Sequence, residues 1–275
     1  MMYKSLFIIF VVFFISCDSS IDKKNELKKL KLEKIQRKAS SKYCDCNTFV
    51  KRSLNPYPFE TNKIGNLNKI TKEYFRCKGS SLNPERVDDF DSDDIKVYLD
   101  CEGGSKHSLP LINGKEGVYP VLLDVLNFIQ RKTKKKVVIT SAHRCPKHNT
   151  YADLKKEERI SKHMIGAEVD FYVQGYENRT LDIIEIIKDY YLEKPKYNKE
   201  KDFIEFVRYD KSKNTSTEPW YNKEIFIKLY NPHEGRDFDN RHPYPYISIQ
   251  VKWNREKNEK VIYSWEKANR GFLRY

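Results

Sequence analysis

The sequence predicts an α+β fold: a small, mostly antiparallel sheet flanked by helices, preceded by an N-terminal extension. Three observations lead there. Val118, Leu122, Val125, Leu126 and Ile129 recur at helical spacing, as do Leu181, Ile184, Ile187 and Tyr191. Short apolar or alternating runs read as strands at 136–140, 169–173, 203–207, 224–230 and 246–253, with a further one at 95–99. Helices and strands follow one another without regular βαβ alternation, which argues against a doubly wound parallel sheet.

In chain order, residues 1–16 carry Lys4, an apolar run over 6–15 and the small residue Ser16 directly before Cys17. This is the layout of a secretory signal, and the run is too short to span a bilayer comfortably. Cys17 after a small residue resembles the bacterial lipoprotein signal, which implies lipidation at Cys17 and a membrane anchor in the cell envelope. Residues 17–42 are polar and Lys-rich and read as a tether. Residues 43–114 hold turn signals at Asn55-Pro56, Asn83-Pro84 and Gly103-Gly104 and read as an elaboration packed on the main domain, 115–275.

The formal charge of +13 over 275 residues suits an anionic polymer or membrane surface. No nucleic-acid module accompanies it, so nucleic acid is not the expected partner. Beyond Cys17 the chain has Cys44, Cys46, Cys77, Cys101 and Cys145. An exported location permits disulfides, an odd number leaves at least one thiol over, and the Cys-x-x-Cys pairs of a zinc ribbon are missing.

Ser161 to Asp170 concentrates the chemistry. An imidazole (His163) and a carboxylate (Asp170) are good ligands for a zinc-like cation, and Gly166 and Ala167 keep the backbone between them small. The setting reads as strand or extended loop, with Val169, Phe171 and Val173 on one face and Asp170 and Tyr172 on the other. A zinc hydrolase needs a third protein ligand and an open position. His242 is the leading third ligand and His233 its rival. Asp239, three residues before His242, is the candidate acid/base, and Arg144 is placed to hold a substrate carboxylate or a developing oxyanion.

Ser-x-x-Arg (Ser141, Arg144), then Ser-x-His-x-x-Gly-x-x-x-Asp (Ser161, His163, Gly166, Asp170), then Asp-x-x-His (Asp239, His242) follow an order that resembles the zinc D-Ala-D-Ala peptidases, over about 115–255. The resemblance implies Zn2+ bound by His163, Asp170 and His242, Asp239 and Arg144 in catalysis, and Ser161, Arg144 and Ser141 on the substrate. It also implies hydrolysis of D-amino-acid bonds in peptidoglycan stem peptides. Asp239 stands where Glu is usual, and His143 and Cys145 stand in place of the more common Tyr and Ser beside Arg144. Those departures motivate an alternative, a non-catalytic envelope lipoprotein that keeps the fold and binds peptidoglycan or a polyanion.

Overall fold

A computed structural model describes residues 49–50, 63–88, 96–112, 114–154, 160–210, 214–269 and 273–274. The signal segment, Cys17, the tether, Cys44 and Cys46 lie outside the described residues.

The centre is a six-stranded sheet. We number its strands β1 (Val137–Ser141), β2 (Glu168–Val173), β3 (Val207–Arg208), β4 (Trp220–Tyr221), β5 (Ile225–Tyr230) and β6 (Tyr246–Val251). The spatial order is β3-β4-β5-β6-β2-β1, and every neighbouring pair is antiparallel. The late strand β6 therefore inserts between β5 and β2, and β2 is paired on both sides. In this register Ser248 lies opposite Asp170 and Gln250 opposite Glu168. On its other side, β1 brings Ser141 to Asp170 across an irregularity between Ile139 and Ser141.

Two long helices cover the sheet. α1 (Pro120–Thr133) begins with proline, whose fixed φ suits the first turn, and ends at Lys134 in the left-handed region with Arg131 and Lys132 in its last turn. It buries Val121, Leu122, Val125, Leu126 and Ile129. After α2 (Pro146–Ala152), the second long helix α3 (Thr180–Glu193) buries Ile183, Ile184, Ile187, Tyr190 and Tyr191. Leu181, expected on the inner face, is exposed, and Ile183 takes that place. These side chains share one core with Val169, Phe171 and Val173 of β2, so the odd parity of that strand is its buried apolar face. Ile70, Phe75 and Leu109 from the N-terminal segment enter the same core.

Two further expectations are corrected. Residues 203–207 do not form one strand: a one-turn helix, α4 (Lys201–Ile204), buries Phe203, and only Val207–Arg208 joins the sheet. A short apolar run carries no period long enough to separate helix from strand, and the docking of Phe203 decides it. Residues 261–270 also read from the sequence as a terminal helix, but 261–264 carry no helix and the described helix is α5 (Trp265–Asn269), which follows a small hairpin of Trp253–Asn254 with Glu259–Lys260. No helix among the described residues is long and apolar enough to cross a membrane.

Candidate metal centre

His163 does not sit in extended chain. It lies in a short 3-10 helix, Lys162–Ile165, whose N-cap Ser161 accepts a hydrogen bond from the His163 N–H at 3.3 Å. Gly166 ends the turn with φ of 67°, and a Cβ there would lie 3.3 Å from Pro110 and 3.4 Å from the Gly117 carbonyl. Gly166→Ala should therefore destabilise the chain by at least about 1–2 kcal/mol, the cost of the left-handed backbone for an L-residue. A chemical denaturation midpoint will read it.

The turn delivers the His163 ring onto β2. Nδ1 lies 2.6 Å from the Ala142 carbonyl oxygen, which requires Nδ1 to carry the proton and donate it. In the neutral ring that leaves the Nε2 lone pair free, the tautomer of a metal-ligating histidine. Nε2 stands 3.5 Å from Asp170 Oδ2 and 3.6 Å from Glu168 Oε2. These separations are too long for good hydrogen bonds. They match the spacing of about 3.4 Å expected between tetrahedral ligand atoms that are each about 2.1 Å from a zinc-sized ion. His163, Glu168 and Asp170 are all buried, and their ligand atoms lie within 4.8 Å of one another.

Both carboxylates are held by side-chain donors. Glu168 Oε1 accepts from Ser248 Oγ at 3.0 Å and Gln250 Nε2 at 2.6 Å, the two β6 residues that face it in register. Asp170 Oδ2 accepts from Asn240 Nδ2 at 2.9 Å, while its buried Oδ1 has no hydrogen-bond partner. A buried carboxylate oxygen without a donor is costly, and a cation is the natural compensation. Burial works to raise the Asp170 pKa, but His163, Arg144 and the Asn240 hydrogen bond outweigh it and hold the carboxyl below its usual range. Burial likewise opposes charge on His163, and the two carboxylates outweigh it and raise its pKa. Protons and a cation therefore compete for the same gap.

The residues expected around this pair are distributed differently. His242 is half-buried and packs on Tyr172, with ring centroids 5.1 Å apart, and both its ring nitrogens lack partners. Its nitrogens are outside the close group formed by His163, Glu168 and Asp170. Among the described residues the third ligating group close to His163 and Asp170 is Glu168, because β2 places residues 168 and 170 on one face, while His242 belongs to the loop before β6. His233, the rival, is exposed in that loop.

Asp239 and Arg144 meet each other rather than the gap. Arg144 is 1% exposed. Its Nε donates to Asp239 Oδ2 at 2.9 Å and to Ser141 Oγ at 2.9 Å, and a terminal nitrogen donates to Asp237 Oδ2 at 2.6 Å. Ser141 Oγ in turn donates to Asp239 at 2.7 Å. Burial would raise the Asp239 pKa, but Arg144 and His148 drive it well below the usual carboxylate range. A carboxylate held so firmly in its charged form is a poor proton acceptor. The backbone N–H of Arg144 also reaches the His163 carbonyl at 3.4 Å, joining this network to the turn that carries His163.

His148 completes the network between Asp100, 2.7 Å from Nδ1, and Asp239, 3.0 Å from Nε2. Burial opposes its charge, yet the bonds to Asp100 and Asp239 raise its pKa from 6.5 to about 10. A raised folded-state pKa gives stability that is complete below pH 6.5 and is lost as pH rises toward about 10. The stability difference between the unmodified chain and His148→Gln should accordingly be largest below about pH 6.5 and shrink as pH rises toward about 10, as denaturation at a series of pH values will read.

Glu168, Asn240, Ser248 and Gln250 were not anticipated from the sequence. Only Glu168 had a signal, since it shares the strand parity of Asp170. Compared with family models, curated proteins and solved structures, the chain matches none. Among the described residues, buried groups of His, Asp, Glu and Cys are grouped closely enough to hold a metal ion.

Proposed function

We propose that this chain is an exported, lipid-anchored zinc peptidase that hydrolyses D-Ala-D-Ala or related D-amino-acid bonds in peptidoglycan stem peptides. The observation that carries the reading is the cation-sized gap among His163 Nε2, Glu168 Oε2 and Asp170 Oδ2, with the Nδ1 proton of His163 committed to Ala142. The order of the motifs from Ser141 to His242 supports the peptidase class, and the segment 1–17 supports export and lipidation at Cys17.

Zinc bound there would polarise a carbonyl and make bound water acidic enough to attack near neutral pH. The chain's own residues hold the geometry. Ala142 sets the His163 tautomer, Asn240 holds one oxygen of Asp170, and Ser248 with Gln250 holds one oxygen of Glu168. Arg144, Asp239 and Ser141 act as positioning residues behind the turn that carries His163. Ser161 caps that turn.

Purified protein loaded with zinc should release D-Ala from muropeptides ending in D-Ala-D-Ala, or cleave cross-linked dimers, and a chelator should abolish the activity. Intact substrates of both kinds after incubation with the zinc-loaded protein would sink the enzymatic reading. One observation favours a second reading, a non-catalytic envelope protein: Asp239 is committed to Arg144, Ser141 and His148. In that case the loaded protein would bind muropeptides, or a polyanion in a salt-dependent manner, without turnover.

A further inference from the structure

Apart from the gap beside β2, three sulfurs converge inside the protein. Cys77 and Cys101 come from the N-terminal segment and Cys145 from the loop after β1. All three are free thiols and buried, the last two at 1% exposure. They form a cluster of their own, with the three Sγ atoms within 4.8 Å of one another and Cys77 Sγ 3.8 Å from Cys101 Sγ. Two thiolates bound to one tetrahedral zinc at about 2.3 Å stand about 3.8 Å apart.

The surroundings are built for sulfur that carries charge. The Gly103 N–H donates to Cys101 Sγ at 3.4 Å, and the His148 N–H donates to Cys145 Sγ at 3.4 Å. Such N–H···S bonds orient and stabilise metal-bound thiolates. Gly79 is pressed against the cluster: a Cβ there would overlap Cys101 Sγ and lie 2.9 Å from His148 Nδ1. His143, on the same loop as Cys145, is 2% exposed and its Nδ1 has no hydrogen-bond partner. A disulfide would use two of the sulfurs and leave the third buried and unpaired. A soft cation uses all three.

We propose that Cys77, Cys101 and Cys145 form a second metal site, a buried three-thiolate centre for zinc or a similarly thiophilic divalent ion. It joins the N-terminal segment to the loop that carries Arg144. The centre is structural, since its ligands are buried, and it is independent of the His163 site in ligands and in chemistry. Binding releases the thiol protons and forms three metal–sulfur bonds, with no oxidant or reductant needed.

The test uses the full chain with Cys17→Ser, Cys44→Ser and Cys46→Ser, kept reduced, and titrates it with cobalt(II). A thiolate-to-cobalt charge-transfer band should appear and saturate by two equivalents, one for each site. It should persist in His163→Ala and vanish when zinc displaces cobalt. Cys145→Ser should remove roughly a third of its intensity or all of it, as expected for one sulfur in three. Because that variant can fail to fold, the same chain is also alkylated with and without zinc and mapped by mass spectrometry. Zinc should slow alkylation of Cys77, Cys101 and Cys145 together. No charge-transfer band, no zinc protection of these thiols, or a Cys77–Cys101 disulfide that reduction does not convert to a metal-binding form would each overturn the proposal.

Discussion

On the proposed zinc-peptidase reading, His163→Ala should abolish metal binding beside β2 and reduce turnover by more than roughly a hundred-fold, since losing even an outer-shell partner of a ligand costs about 10–100-fold. The reason is geometric. His163 is the sole nitrogen in the close group, and the two carboxylates that remain, Glu168 and Asp170, would face each other buried and without the imidazole beside them. Metal content by mass spectrometry and turnover of D-Ala-D-Ala-terminated muropeptides read the two effects. Retention of the ion with full activity in this variant would remove His163 from the site. The pH dependence has a definite sign. The His163 pKa is raised, so the metal-free protein gains stability from the charged ring below its ordinary pKa of 6.5 and loses it as pH rises. The metal needs the neutral ring, so metal stabilisation should grow with pH and fail in acid.

Arg144→Ala should destabilise the fold by about 3–5 kcal/mol, the usual consequence of leaving buried acids without their cation. Asp237 and Asp239 would both lose the guanidinium, and Ser141 would lose a donor. Arg144→Lys should recover only part of this, because an ammonium cannot reproduce the fork that reaches two carboxylates and a hydroxyl at once. Urea denaturation will distinguish the cases. If Arg144→Ala is as stable as the parent and only KM for the peptide changes, the guanidinium contacts substrate and is not the keystone of the loop.

Much of the fold was legible because its signals are local. The apolar period of α1, the parity of β2 and the alternation of β5 and β6 each report a face that must be buried, and each is buried as its period requires. The failures are also local. The run 203–207 is too short to show a period, and Leu181 sits in the first turn of α3, where the helix has not yet met the core.

The site divides along the same line. His163 and Asp170 could be paired from sequence because only a short turn and one strand separate them. Glu168 belonged to the same strand face and was readable from parity. The contributions of Ser248, Gln250 and Asn240 depend on the insertion of β6 beside β2, a long-range pairing that no nearby residue announces. The same holds for Arg144 and Asp239. Their spacing suggested a substrate grip and a base, but the loop before β6 folds back over β1 and closes them into an ion pair. The convergence of Cys77, Cys101 and Cys145 is likewise set by packing. Local chemistry along the chain chose the residue types and the element faces. Pairing between distant segments, driven by burial of one shared core, decided which of those residues touch.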